Sequence, residues 1–229
     1  MAFFSWLKDF VNLFYPYSCV LCGHPLHGNE EILCASCILD MPRTHFHTFA
    51  NNETAQRFWG RIDLEHAASF LFFHKGSKYQ KLIHLLKYNN KPEIGVFLGN
   101  LYGQELINTS FANADMIIPV PLHPKKEKIR GYNQAEKFAE GLSRQLNIPV
   151  RNELKRIKFT ETQTKKDKEE RWNNVKNVFS PVNCKNLENK HVILVDDVIT
   201  TGATLEACAI ALKTCKNVKI SILTVGIAQ

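Results

Sequence analysis

The chain has 229 residues, of which 45% are hydrophobic and 22% charged, the composition of an ordinary folded protein long enough to bury a sizeable core. Its net charge of +7 favours an anionic partner such as a polyphosphate or a nucleic acid. No stretch approaches the roughly 20 uninterrupted apolar residues that a membrane span needs, so we expect no transmembrane segment.

The first 14 residues carry apolar side chains at helical spacing, namely Phe3, Trp6, Leu7, Phe10, Val11 and Phe14. Lys8 and Asp9 interrupt this stretch, and neither a basic region nor a small-residue cleavage site accompanies it, so it makes a poor signal peptide. We therefore predict a helix over residues 1–14 that docks on its own protein. Contact with a membrane or a partner is the alternative.

Two C-x-x-C pairs follow within the segment 15–48, and their thiols belong to Cys19, Cys22, Cys34 and Cys37. Each pair closes a tight turn that directs two thiolates to one point, and two such turns complete a tetrahedron around zinc. Because four cysteines leave no open position, we predict a structural Zn²⁺ that holds together a segment too short to fold alone. His24 or His27 in place of one cysteine is the alternative.

The remaining cysteines are Cys184, Cys208 and Cys215, and the last two are seven residues apart on a predicted helix. An isolated thiol usually behaves as a small buried hydrophobic group, so we expect structural, free cysteines here. Free thiols beside a zinc site are typical of a reducing compartment, which predicts a cytoplasmic protein.

Residues 49–62 are polar and rich in turn-forming residues, which predicts a linker. We place a domain boundary there. Residues 1–60 form the N-terminal helix and the zinc module with its linker, and residues 61–229 form a second domain.

In the second domain, predicted strands alternate with predicted helices. The apolar patterns predict strands at 66–74, 115–122, within 148–158, at 191–199 and at 218–228, and helices at 77–90, 93–107, 133–146 and 203–215. Such alternation predicts an α/β fold with a mainly parallel sheet flanked by helices.

The most informative stretch runs from Val192 to Thr204. A buried strand delivers Asp196 and Asp197 at its carboxyl end, where open α/β sheets bind ligands. Residues 200–204 (TTGAT) then lead into a helix, and backbone N–H groups, threonine hydroxyls and the helix dipole together form a cradle for a phosphate monoester. Carboxylates beside such a cradle suit a sugar phosphate.

This stretch resembles the motif with which type I phosphoribosyltransferases bind phosphoribosyl pyrophosphate (PRPP). The resemblance implies that Asp196 and Asp197 contact the ribose hydroxyls with Mg²⁺ nearby, and that the loop binds the 5′-phosphate. The PRPP-binding residues implied in this stretch are Val198, Thr200, Thr201, Gly202, Ala203 and Thr204.

A narrower resemblance spans nearly the whole chain. The four-cysteine finger, PVPLHPKK (119–126), RGYNQAE (130–136), Gln163-Thr164 with Arg171, and VDDVITTGAT (195–204) are together similar to the ComF family, which includes the competence-associated ComFC proteins. The implied architecture is a type I phosphoribosyltransferase fold with an N-terminal Cys₄ zinc finger, and the implied process is DNA uptake.

Cationic residues precede and follow the predicted helix at 133–146. Lys125, Lys126 and Arg130 offer positive charge to a diphosphate, and Gly131 allows a sharp turn before Asn133 caps the helix. The charged segment 159–180 is long enough for a functional lid, in which Arg171 neutralises the leaving pyrophosphate. Surface lysines and a surface ion pair of Arg171 are the alternatives.

The sequence leaves two functions open. In the first, the protein is an enzyme that transfers the phosphoribosyl group of PRPP to an acceptor and releases pyrophosphate, with Asp196, Asp197 and Arg171 at the reacting centre. In the second, it is a non-enzymatic PRPP- or nucleotide-responsive protein that binds single-stranded DNA through its basic surface and a partner of the DNA-uptake machinery through its zinc finger. No residue identifies the acceptor.

Overall fold

The computed structural model describes residues 17–157 and 178–229. The predicted N-terminal helix, Arg171 and most of the segment 159–180 lie outside the described residues. In the described ranges the helices are α1 (Ala35–Leu39), α2 (Glu53–Gln56), α3 (Gln80–Tyr88), α4 (Glu93–Leu106), α5 (Pro124–Arg130), α6 (Gln134–Leu146) and α7 (Ala203–Leu212). The strands are β1 (His66–Phe73), β2 (Met116–Pro119), β3 (Leu154–Arg156), β4 (Phe179–Pro181), β5 (His191–Ile199) and β6 (Lys219–Ala228).

A parallel sheet with the strand order β1-β6-β5-β2 forms the centre of the molecule. Strands β5 and β6 occupy its middle, and their apolar residues are buried almost without interruption, as parallel strands covered on both faces require. A parallel bridge between Ile117 and Val150 continues the sheet beyond β2, while β3 and β4 form a separate antiparallel pair. The predicted α/β fold is therefore confirmed.

Helices α4 and α6 pack against each other through glycines, which lets their backbones approach closely. A β-carbon added to Gly99 would lie 2.2 Å from the carbonyl oxygen of Phe138, and one added to Gly141 would lie 2.2 Å from that of Val96. Because α6 also packs on β2 and β5, this helix pair covers one face of the sheet at the strand that carries the candidate site.

We expect Gly141→Ala to lower the free energy of unfolding by about 1–3 kcal/mol, since the new methyl group meets backbone atoms that cannot rotate away. In an open helix the same substitution would stabilise by about 1 kcal/mol. Urea denaturation measures the difference, with Ser143→Ala on the same helix as the control. A Gly141→Ala variant as stable as the parent protein would show that the two helices separate without cost.

Residues 52–61, for which the sequence predicted a linker, are packed against the rest of the protein. Asn52 caps α2 and also donates to the carbonyl oxygens of Phe46 and Ala67, while Thr54 and Phe58 are buried. Asn52 binds backbone carbonyl groups and Thr54 binds the Ser69 hydroxyl group, and composition alone cannot reveal either contact. The proposed division at residue 60 stays a prediction.

Two further local predictions differ from the structure. The segment after β2, for which the sequence predicted no helix, contains α5, which begins at Pro124 because His123 Nδ1 accepts a hydrogen bond from the N–H of Lys125 and caps the helix. Cys184 and Cys215, predicted to be free, form a disulfide, since α7 ends at Leu212 and the chain then turns Cys215 towards residue 184. Cys208 is free and buried, as predicted.

Among the described residues, no helix is both long and apolar enough to cross a membrane.

Candidate sugar-phosphate site

Asp196 and Asp197 lie side by side at the carboxyl end of β5, as the sequence predicted. Each carboxylate is partly satisfied by the next residue, because Asp196 Oδ1 accepts from the N–H of Asp197 at 2.8 Å and Asp197 Oδ1 accepts from the N–H of Val198 at 2.6 Å. The second oxygen of Asp197 contacts Lys87 Nζ, and the second oxygen of Asp196 has no hydrogen-bond partner among the described residues. The pair therefore presents two carboxylate oxygens at the edge of the sheet where parallel strands bind ligands.

Lys87, in the last turn of α3, supplies a counter-charge to this pair. Its Nζ lies 2.8 Å from Asp197 Oδ2, and the side chains of Lys87 and Asp197 are only 23% and 16% exposed. Nothing in the sequence around Lys87 indicates this partner, which lies 110 residues away.

Burial raises the pKa of Asp196 to about 7, and the adjacent negative charge of Asp197 adds to the rise. The hydrogen bond from the Asp197 N–H and the charge of Lys87 act in the opposite direction. A carboxyl group with this pKa is partly protonated at neutral pH, so bringing a cation to the pair also releases a proton.

The raised pKa of Asp196 predicts that the protein loses stability as the pH rises from about 4 to about 7. In that window the folded state binds more protons than the unfolded state, so removing protons favours unfolding. The Asp196→Asn variant lacks this titration, and we expect its stability relative to the parent protein to increase between about pH 5 and about pH 8. Urea denaturation at both pH values measures the change.

Asp63→Asn is the control, because the Asp63 side chain is 95% exposed. If Asp196→Asn and the parent protein show the same pH dependence, Asp196 is ionised throughout this range.

The loop of residues 200–204 connects β5 to α7 and leaves its N–H groups free. In the parts of the chain that the structure describes, no group accepts a hydrogen bond from the N–H of Thr201, Gly202 or Thr204. Gly202 has a φ of 79°, which permits the turn, and Thr200, Thr201 and Thr204 are exposed. Donors and hydroxyl groups thus surround the start of α7, an arrangement that binds anions.

A segment from the N-terminal part of the chain lies behind this loop. Arg57 donates to the carbonyl oxygens of Thr200 and Ala228, and Arg61 donates to that of Thr201 and pairs with Glu206 in the first turn of α7. The ring of Phe58 is so close to Gly202 that a β-carbon there would lie 3.0 Å from Phe58 Cε1. These three residues of the predicted linker carry no local signal of this role, because only the tertiary fold brings them to the loop.

The predicted pyrophosphate residues lie on and after α5. Lys125 is exposed, and Lys126 lies on the same helix. Arg130 is partly buried, donates to Gln134 Oε1 at 2.6 Å, and places its guanidinium carbon 5.6 Å from the centre of the Tyr88 ring. Gly131 adopts a φ of 77° and Asn133 caps α6, both as predicted.

The end of α3 connects the acid pair to the predicted pyrophosphate residues. Lys87 contacts Asp197, the next residue Tyr88 contacts Arg130, and Tyr132 donates to the carbonyl oxygen of Leu86 at 2.5 Å. The acid pair and Arg130 therefore share one support, even though they are far apart in the sequence.

The four predicted zinc ligands come together in space. All four sulfur atoms of Cys19, Cys22, Cys34 and Cys37 lie within 4.8 Å of one another, and Cys22 Sγ is 3.6 Å from Cys34 Sγ. Tetrahedral coordination with Zn–S bonds of about 2.3 Å requires sulfur atoms about 3.8 Å apart, so the cluster fits zinc. Burial, followed by the neighbouring thiols, raises the pKa of Cys37 to about 12, and a bound cation is what would allow this thiol to ionise.

His45, His47 and Glu105 also place ligand atoms within 4.8 Å of one another. At that cluster Arg43 Nε lies 3.2 Å from Glu105 Oε1, so the protein itself supplies a positive charge to this carboxylate. At the four-cysteine cluster the neighbouring cation is Lys78, whose Nζ lies 3.9 Å from Cys37 Sγ.

We expect the protein to contain about one zinc ion per chain, bound by the four thiols. Cys22→Ala should remove the metal and lower the melting temperature, although Cys22 is exposed and its side chain fills no core space. Elemental analysis and thermal unfolding measure both effects. Cys208→Ala is the control for losing a thiol and should keep the metal, whereas zinc retained in full by Cys22→Ala would contradict the site.

Comparison with known proteins identifies the class of this fold. Residues 133–226 match the phosphoribosyl transferase domain family, and with the parallel sheet and flanking helices they define a type I phosphoribosyltransferase fold. Among solved structures, the glutamine PRPP amidotransferase from B. subtilis is similar at 21% identity and a TM-score of 0.44, over 62% of this chain and 30% of that one.

Among whole proteins, Competence protein F of Haemophilus influenzae is 32% identical over 203 residues, 84% of this chain and 89% of that protein. The chain belongs to the competence protein F (ComF) family. The DNA utilization protein YhgH of Escherichia coli K12 is 34% identical over 56% of this chain and 58% of its own length. Competence protein ComFC of Bacillus subtilis is 39% identical over 41% of this chain and 36% of its own length.

Proposed function

We propose that the protein binds PRPP together with Mg²⁺ at the end of β5. The observation that carries this proposal is that two carboxylates lie near the end of β5 and that the loop directly after this strand has free N–H donors. Carboxylates suit ribose hydroxyl groups and a hard cation, while the loop suits the 5′-phosphate. The matched phosphoribosyl transferase domain includes both elements.

Different residues of the site would hold different groups of PRPP. The N–H groups of Thr201, Gly202 and Thr204, with the threonine hydroxyls, would hold the 5′-phosphate, and Ala203 begins the helix whose dipole favours the anion. Asp196 and Asp197 would hold the ribose 2′ and 3′ hydroxyl groups, with Val198 next to them on β5. The carboxylate oxygens also fit Mg²⁺, which when bound neutralises diphosphate charge.

The pyrophosphate group would be held by Lys125, Lys126 and Arg130. The guanidinium of Arg130 is kept in place by Gln134 and Tyr88, so it offers a fixed cation, whereas Lys125 is exposed and adds charge at the surface. Arg171 belongs to the same proposal as the residue that would neutralise the leaving group.

The proposed reaction is a displacement at ribose C1. The acceptor contributes an electron pair to form the new bond to C1, the bond from C1 to the pyrophosphate oxygen breaks, and pyrophosphate leaves with that electron pair. The proton of the acceptor passes to solvent. The basic residues of α5 stabilise the negative charge that develops on the departing oxygen, and no protein nucleophile is needed.

The names of the relatives indicate the biological process to which this chemistry would belong. Competence protein F and DNA utilization protein YhgH indicate a role in DNA uptake or use, and we propose the same role for this chain. The zinc module would contact the protein partners of that process. In the second candidate function, the PRPP site responds to ligand without turnover and the basic surface binds single-stranded DNA, which the net charge of +7 favours.

Calorimetric titration of the zinc-loaded protein with PRPP and Mg²⁺ tests the proposed function. We expect binding by the parent protein and none by the Asp196→Asn/Asp197→Asn variant, which loses the carboxylates but keeps their shape. Asp40→Asn/Asp63→Asn removes the same charge from exposed positions and should bind normally.

Failure of the folded parent protein to bind would contradict the proposal. Binding without pyrophosphate release with any amine, base or nucleotide acceptor would favour the second candidate. In that case, affinity for single-stranded DNA that falls steeply with salt, and that charge reversal at Lys125 and Lys126 weakens, would support it.

A further inference from the structure

The segment that contains Arg57, Phe58 and Arg61, here called the backing segment, contacts the 200–204 loop on the side away from its free N–H groups. Arg57 donates to the carbonyl oxygens of Thr200 and Ala228, and Arg61 to that of Thr201. Arg61 Nη1 also donates to the carbonyl oxygen of Arg57 at 2.9 Å, so the two guanidinium groups form one connected set of donors.

The planarity of the peptide bond turns these contacts into an orientation of the loop. In a trans peptide the C=O and the following N–H point in opposite directions, and the described residues contain no cis peptide. Since the carbonyl groups of Thr200 and Thr201 point to the arginines, the N–H groups of Thr201 and Gly202 point to the opposite side. That side is where the phosphate cradle opens.

Gly202 makes this orientation easy to lose. A glycine without restraint moves readily between left-handed and right-handed backbone conformations, and rotation of either neighbouring peptide would direct a carbonyl oxygen into the cradle. The Phe58 ring closes the space behind Gly202, and the Arg61–Glu206 ion pair fixes the segment to the first turn of α7.

We propose that Arg57 and Arg61 are positioning residues for the 5′-phosphate cradle, which hold the Thr201 and Gly202 N–H groups towards the ligand without touching it. This inference rests on the proposed function, because it concerns the same phosphate. It assigns a ligand-related role to a segment outside the matched phosphoribosyl transferase domain at 133–226.

The inference predicts a selective loss. Ribose 5-phosphate binds through the cradle, whereas inorganic pyrophosphate binds through the α5 residues. Arg57→Met should therefore weaken ribose 5-phosphate about tenfold, equivalent to about 1.4 kcal/mol, and leave pyrophosphate affinity unchanged. The hydrogen bond from Arg61 to the Thr201 carbonyl oxygen is long, at 3.2 Å, so Arg61→Met should produce the same selectivity with a smaller effect.

Two further variants separate positioning from charge and from stability. Arg57→Lys keeps the positive charge but has one nitrogen in place of the fork that reaches both carbonyl groups, so it should restore ribose 5-phosphate binding only in part. Lys213→Met removes a cation that ties the neighbouring Asp63 to the region after α7, at 3.4 Å, without contacting the loop. It should bind both ligands normally.

The experiment is calorimetric titration of the zinc-loaded full chain with ribose 5-phosphate and, separately, pyrophosphate, each with Mg²⁺, together with melting temperatures. Amide NMR supplies a direct readout, since ribose 5-phosphate should shift the Thr201 and Gly202 N–H signals in the parent protein, whereas Arg57→Met should lose the shift of the Thr201 signal. Selective loss of ribose 5-phosphate affinity together with this missing shift supports the inference.

Three results would overturn it. Arg57→Met that binds ribose 5-phosphate as tightly as the parent protein would show that the loop orients itself. Equal loss of both ligands with a lower melting temperature would show general destabilisation, and full restoration by Arg57→Lys would show a role of charge alone. If the parent protein binds neither ligand, the proposed function fails first and this inference fails with it.

Discussion

The mutual repulsion of two adjacent carboxylates at the end of a buried strand is the constraint around which the site is organised. Each of Asp196 and Asp197 uses one oxygen on the next backbone N–H, and Lys87 neutralises the second oxygen of Asp197. Burial, and after it the negative charge of Asp197, raises the pKa of Asp196 to about 7, so this carboxyl group is partly protonated at neutral pH. A divalent cation at this pair would neutralise both carboxylates and release the proton of Asp196.

Helix α3 joins this acid pair to the cysteine cluster. At its start, Tyr79 donates to the carbonyl oxygen of Cys37 at 3.0 Å, and at its end Lys87 reaches Asp197. Nine residues of helix span only about 13 Å, so a single rigid element connects the two. The position of Lys87 therefore depends on how firmly the cysteine cluster holds the first turn of α3. In this way the cluster contributes structurally to the site.

The sequence sufficed for the features whose signals are local. The apolar runs of β5 and β6, the C-x-x-C pairs, and the acid pair followed by a threonine loop all lie within short segments, and the fold and the cysteine cluster follow from them.

The contributions of Lys87, Arg57 and Phe58 could not be predicted, because each acts on a residue more than 100 positions away. Polar composition also concealed the packing of residues 52–61, where Asn52 binds buried carbonyl groups. The Cys184–Cys215 disulfide was missed because the helix was predicted to run three residues too far.

The contact between Arg57 and Thr200 joins residues 143 positions apart, and the contact between Arg57 and Ala228 joins residues 171 apart. Closing a loop of this length costs conformational entropy unless the intervening chain is already ordered, so we expect these contacts to form late in folding. During synthesis, the threonine loop is complete as a sequence before the strand that carries Ala228 has been made. A fragment limited to residues 133–226 would contain the loop and both acids, yet neither the arginines that orient its peptides nor the lysine that neutralises Asp197.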